Sequence, residues 1–127
     1  MSIYMYFTKD ELACRCGCGK GQGDMNGDFM AKLVLMRRNS GVPMNVTSAI
    51  RCPNHNNIVS STGFDGPHTT GRAVDVKIYG ERALIIIEHA IKVGMTGIGI
   101  KQKGSREERF IHIDDLLFGP RPWIWSY

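Results

Sequence analysis

Two short runs of strict alternation, "AVDVKI" at 73–78 and "FIHID" at 110–114, constrain this 127-residue chain more than any other feature. In the first, Val74, Val76 and Ile78 alternate with Ala73, Asp75 and Lys77. In the second, Ile111 and Ile113 alternate with Phe110, His112 and Asp114. A period of two is that of a strand with one face on a core and the other face open. Asp75, His112 and Asp114 then lie on the open faces, and two such faces can converge on one site.

The remaining segments read as helices and strands around that pair. Thr8 with Glu11 three residues later has the form of a capping box, and Phe7 and Leu12 take the positions of a hydrophobic staple, so a short helix starts there. A Gly-rich stretch runs from Gly17 to Gly27. Residues 28–38 then place Phe29, Leu33 and Met36 on one face at helical spacing before Gly41 ends the run. "PMNVTSAI" reads as a strand, and Pro53 suits the first turn of another helix through "NHNNIVSS". Residues 61–70 are turn-forming and read as a loop. Residues 81–93 form a helix with Leu84, Ile87 and Ile91 directed inward, closed by Gly94. "TGIGIK" is a strand with its glycines on one face. Trp123, Trp125 and Tyr127 are expected to close the core rather than to line a groove.

Length and composition limit the classes worth testing. The chain is long enough for one packed domain, 1–127, and too short for two comfortable ones. Hydrophobic residues at 43% and charged residues at 22% are near globular averages, which favours neither a disordered nor a membrane class. The longest apolar stretch, Ala83 to Ile87, is too short to span a bilayer, and the start "MSIYMYFTKDEL" lacks a basic segment followed by an apolar one. Synthesis in the cytoplasm without a signal peptide is expected, with no membrane insertion. The net charge of +4 comes from scattered residues, so no nucleic-acid partner is expected, and the chain is read as a monomer. Cys14, Cys16 and Cys18 crowd into "CRCGCG", while Cys52 stands apart. Spacing of one residue is tighter than the usual CxxC half-site; a metal knuckle completed by Cys52, reduced thiols and one disulfide all stay open.

His68, in "GPHTTGRAVD", precedes Asp75 by seven residues and brings a second imidazole from the preceding loop. Two histidines and one carboxylate match the three protein ligands of a catalytic zinc, whose fourth position is left to water. His68, Asp75 and His112 are accordingly the candidate metal ligands. His55, at a helix start, and His89, on a polar helix face, read as capping or solvated groups.

The stretches "TSAIRCPNHN", "GPHTTGRAVDV" and "RFIHIDD" closely resemble, in order and over nearly the whole chain, the zinc D-Ala-D-Ala carboxypeptidase family and its phage endolysin relatives. That family shares a metal-site fold with the hedgehog signalling domain. The resemblance implies an α+β fold, with a small antiparallel sheet carrying the zinc site and packed against helices. By motif match it places zinc on His68, Asp75 and His112, with Gly71 and Ala73 between the first two ligands also matching. Many members have a serine two residues before the first histidine, where this chain has Gly66. Arg51 resembles the family arginine that contacts a substrate carboxylate or the developing oxyanion, work suited to a planar bidentate donor; its bland alternative is a surface salt bridge.

Zinc chemistry then calls for a carboxylate that takes a proton from the attacking water and returns it to the leaving amine. Asp114 is the candidate, with orientation of a ligand histidine as its alternative role and Glu108 as the runner-up. Many relatives place the acid three residues before the last ligand, a position held here by Arg109. The expected function is a peptidoglycan peptidase, trimming a terminal D-alanine or cutting within the stem peptide at the bacterial cell wall, as a phage or prophage lysis enzyme does. The alternative is a zinc-stabilised module without hydrolysis, such as a phage structural component.

Overall fold

The computed structural model describes residues 6–127. Among these described residues four α-helices, α1 (Lys9–Leu12), α2 (Gly27–Ser40), α3 (Pro53–Val59) and α4 (Gly80–Lys92), accompany a five-stranded sheet. Its strands are β1 (Asn45–Ser48), β2 (Ala73–Lys77), β3 (Gly97–Lys101), β4 (Phe110–Asp114) and β5 (Trp123–Ser126). They lie in the order β1-β2-β4-β3-β5, antiparallel except for the β3/β5 pair. The fold is thus α+β, as the sequence implied. Among the described residues no helix is long and apolar enough to cross a membrane.

Local signals act where the sequence put them. The Thr8 hydroxyl accepts from the Glu11 amide at 3.1 Å and the Glu11 carboxylate accepts from the Thr8 amide at 2.9 Å, so two orphan amides of α1 are satisfied reciprocally. The other Glu11 oxygen accepts from the Val46 amide at 3.1 Å, which ties α1 to β1. Phe7 and Leu12 are buried. Asn26 caps α2, whose Phe29, Met30, Leu33 and Met36 are buried against the inner sheet face of Val46, Val74, Val76, Ile111 and Ile113. Each such side chain contributes about 1.5–3 kcal/mol on removal from water.

Three expectations are corrected. Helix α4 does not turn Leu84 and Ile91 inward: they are 68% and 63% exposed, and Ala83, Ile86 and Ala90 are buried instead. A small-residue face lets α4 lie close to its neighbours, whereas the Leu84/Ile91 face would hold it off. Residues 61–70 are not wholly irregular, since Pro67–Thr70 forms a 3-10 turn. Trp123, Trp125 and Tyr127 do not close the core. They lie on or just beyond β5, with Trp123 and Tyr127 roughly half exposed.

The register positions the site. Ser48 pairs with Asp75, Asp75 with His112, His112 with Gly99, and Gly99 with Trp125, so one row of residues crosses all five strands at a single level. The neighbouring row carries Ala73, Asp114, Gly97 and Trp123. The two glycines of β3 leave room for large groups. A Cβ on Gly99 would lie 2.6–2.9 Å from Trp125 ring atoms, and one on Gly97 would collide with the Asp114 carboxylate and the Arg121 guanidinium. Gly99→Ala is therefore expected to push Trp125 off its seat and cost about 1–3 kcal/mol, the usual penalty of overpacking. Thermal denaturation with tryptophan emission as the probe would show it; an unchanged midpoint and spectrum would refute this packing argument.

Candidate metal centre

Each of the three candidate donors is delivered by a different local device. His68 sits in the Pro67–Thr70 turn, closed by Gly71 at φ +75, a conformation that side chains rarely tolerate. A Cβ at Gly71 would also run into the Asp24 carbonyl, and the Gly71 carbonyl accepts from the Asn26 amide at 2.8 Å. That turn swings His68 back over the start of β2. Asp75 and His112 are direct cross-strand partners on β2 and β4, so their side chains emerge side by side.

Hydrogen bonding assigns the imidazole protons. The Ala49 carbonyl only accepts, so His68 Nδ1 donates to it at 2.8 Å and Nε2 keeps its lone pair. The Asp114 carboxylate only accepts as well, so His112 Nε2 donates to Oδ2 at 2.7 Å, which leaves the lone pair on Nδ1. Both free nitrogens face the same atom: His68 Nε2 is 3.2 Å and His112 Nδ1 3.1 Å from Asp75 Oδ1. With both imidazoles neutral, three electron pairs meet there; without a metal ion, a proton on His112 Nδ1 relieves the repulsion. Such a cluster is repulsive unless a cation lies among the donors, and two neutral imidazoles with one carboxylate form a donor set suited to zinc. Both histidines are buried and Asp75 is nearly so.

Protonation reports the same electrostatics. Burial disfavours the His112 imidazolium, yet hydrogen bonds to Asp114 and Asp75 outweigh it and raise the pKa above the ordinary histidine value. Burial would raise Asp75, but the two imidazoles hold it well below the usual carboxylate range.

The donors open onto a groove of about 530 Å³, lined also by Arg51, Arg121, Phe110, Trp123, Trp125 and Tyr127, with Ser60, Ser61 and Thr62 on one rim. Trp125 covers His112, ring centroids 5.1 Å apart. Arg51 is held at three corners, by Ser48 Oγ at 3.1 Å, Asn56 Oδ1 at 3.1 Å and Asp75 Oδ2 at 3.5 Å. It is not a free surface cation; its side chain is 15% exposed. At Gly66, the space a serine side chain would need is filled by Thr62 Oγ1 and Asn56 Nδ2.

The model of the Peptidase M15 family matches this chain over residues 5–114, a span that contains all three donors. The chain belongs to the Peptidase M15 family. No curated protein and no solved structure matches it. As an M15 chain it is a metallopeptidase, and its candidate metal-binding residues are those just described.

In this M15 peptidase Asp114 does not face the groove as a proton-transfer group would. It is fully buried behind His112, and both its oxygens are engaged: Arg121 Nε donates to Oδ1 at 2.9 Å, and Arg121 Nη2 donates to Oδ2 at 2.8 Å beside His112. Burial would raise its pKa, but His112 and Arg121 hold it at about 2. Glu108 is exposed in the 3-10 turn of residues 106–108 and lies outside the groove lining. Among the described residues Asp75 is the one acid that lines the groove. The sequence reading gives Arg121 no role and assigns Trp123, Trp125 and Tyr127 to the core, whereas all four line the groove. Their signal is the alternation of Trp123 and Trp125 with Ile124, which places both rings on the side of His112.

Proposed function

We propose that this M15 peptidase is a zinc enzyme that hydrolyses an amide bond in the peptide of bacterial peptidoglycan, with His68, Asp75 and His112 as zinc ligands and Arg51 as the substrate-binding cation. The observation that carries this reading is the convergence of two imidazole lone pairs and one carboxylate oxygen in the wall of an open, peptide-sized groove. When bound, zinc supplies Lewis acidity for the scissile carbonyl and activates a water as nucleophile near neutral pH.

The chain's own groups do the rest. Ala49 and Asp114 fix the two imidazole tautomers, so that His68 Nε2 and His112 Nδ1 are always the ligating atoms. Arg121 neutralises Asp114 and lies over the Trp125 ring, 4.9 Å from its centroid, which keeps bulk water from that side of His112. Arg51 offers its remaining N–H groups to a substrate carboxylate. Burial raises the Tyr127 phenol above its ordinary value, so it stays a neutral O–H donor at the groove wall. Arg51 and a row of aromatic rings fit a short peptide with a free terminal carboxylate, such as a D-alanine-terminated stem. Action at the cell wall, from a phage or prophage gene, accords with that substrate.

Release of amino groups from purified bacterial walls, abolished by a chelator and restored by zinc, is the expected result. One observation favours a second reading, a zinc-stabilised module without hydrolysis: no second acid lines the groove among the described residues. Zinc retention with no released amines from walls or defined stem peptides would select it.

Asp114 is assigned here as a positioning residue. Asp114→Asn is expected to weaken zinc affinity about 10–100-fold, while kcat at saturating zinc changes little. Zinc titration beside steady-state rates separates the roles; a lost kcat with unchanged affinity would restore Asp114 as the acid.

A further inference from the structure

Four cysteines lie together outside the lining of the groove. Cys14 Sγ and Cys16 Sγ are 3.4 Å apart, Cys16 Sγ and Cys52 Sγ 3.5 Å, and the sulfurs of Cys14, Cys16, Cys18 and Cys52 all lie within 4.8 Å of one another. A disulfide needs sulfurs about 2.05 Å apart, and all four cysteines are free. Four sulfurs around one zinc, each about 2.3 Å from it, stand about 3.8 Å from one another in a regular tetrahedron. The observed spacings suit that second arrangement.

Alternate-residue spacing does not prevent three cysteines of one short run from facing a common point here. The chain reverses at Gly17 and Gly19, both at positive φ (+79 and +95). The Cys14 carbonyl accepts from the Gly17 amide at 3.2 Å, and the Cys14 amide donates to the Lys20 carbonyl at 2.9 Å, closing the loop on itself. Arg15, between two of the cysteines, turns outward and donates to the carbonyls of Glu11, Ala13 and Thr47, which pins the loop to α1 and β1. The fourth sulfur arrives from the N-cap of α3. Backbone amides already point at two of the sulfurs: Cys52 N donates to Cys14 Sγ and His55 N to Cys52 Sγ, each at 3.4 Å. Amide donors of this kind favour thiolates over thiols.

We propose that Cys14, Cys16, Cys18 and Cys52 form a second metal site, a closed four-thiolate centre for zinc that fastens the N-terminal loop to the segment bearing Arg51. Soft thiolate ligands select zinc over magnesium or calcium, and four protein ligands leave no open position for water, so the centre is structural. None of the four cysteines lines the groove. The link to the groove runs through the chain: Cys52 follows Arg51 directly, and the Arg51 amide donates to the His68 carbonyl at 3.1 Å. An ion on Cys52 holds the base of both groups.

The test is independent of hydrolysis. Protein purified under reducing conditions is analysed for zinc by elemental mass spectrometry, then loaded with cobalt and examined for the intense near-ultraviolet sulfur-to-cobalt charge-transfer band. Two zinc ions per chain and a strong band are expected. The double variant Cys16→Ser/Cys18→Ser, at exposed positions that leave the core intact, should hold one ion and lose the band. His112→Ala should hold one ion and keep it. Absence of the band from cobalt-loaded, folded wild type would overturn the proposal. So would a disulfide persisting in reductant, or thiols alkylated as fast with zinc present as after chelation. Loss of the groove's ion alone would overturn the reading of the groove and leave this centre standing.

Discussion

Replacing His112 by alanine is expected to strip the groove of its metal and to abolish hydrolysis. The argument is one of donor count. His112 Nδ1 and His68 Nε2 are the two neutral donors that flank Asp75 Oδ1, and removal of one leaves a single imidazole beside a carboxylate that Arg51 already competes for. It also leaves the buried Asp114 facing Arg121 without its imidazole partner. Loss of the metal's charge stabilisation, several kcal/mol in the transition state, corresponds to at least about 10³-fold in rate. Because metal binding adds to folding free energy, the wild-type melting temperature should fall on chelation, whereas that of His112→Ala should respond only to removal of metal held elsewhere. A variant that keeps near-native rates would refute the assignment of the groove as the metal's seat.

Much of this site could be read from alternation alone. A period of two in "AVDVKI" and "FIHID" fixes which side chains share a face, and opposite pairing of Asp75 with His112 follows once the two strands are neighbours. What alternation does not convey is the partner of each polar group. It put Asp114 on the His112 face correctly, but the engagement of that carboxylate depends on Arg121 folding back from the loop before β5. Such a contact is set by loop geometry rather than by any period. Strand β5 was hidden for a related reason: it runs parallel to β3, so nothing near it in sequence pairs with it, and Pro120 and Pro122 make its approach read as irregular. In α4 the run "ALIII" is apolar nearly all round, and periodicity could not choose between faces. Close packing chose Ala83 and Ala90 over the larger Leu84 and Ile91. For the cysteines, spacing leaves a metal knuckle, reduced thiols and a disulfide all open, because the geometry depends on two glycine reversals that a spacing rule does not contain.

The second large effect is expected from Arg51→Lys, and it bears on substrate rather than metal. The guanidinium spends one N–H on Ser48, one on Asn56 and one on Asp75, which fixes its plane and leaves one N–H on each terminal nitrogen for the groove. Two parallel donors on one planar fork match the two oxygens of a carboxylate. Lysine keeps the charge but can make neither the fork nor the three anchoring bonds together. A charge-assisted hydrogen bond contributes about 1.5–3 kcal/mol, so kcat/KM should fall about 10–100-fold, mainly through KM, with zinc content unchanged. Peptides with a free terminal carboxylate and their amidated counterparts give the decisive comparison. Wild type should prefer the free acid and Arg51→Lys should lose that preference, because the discriminating contact is gone while the charge and the metal persist. Equal losses on both substrates, carried by kcat, would instead assign Arg51 to the developing oxyanion, a group common to both peptides.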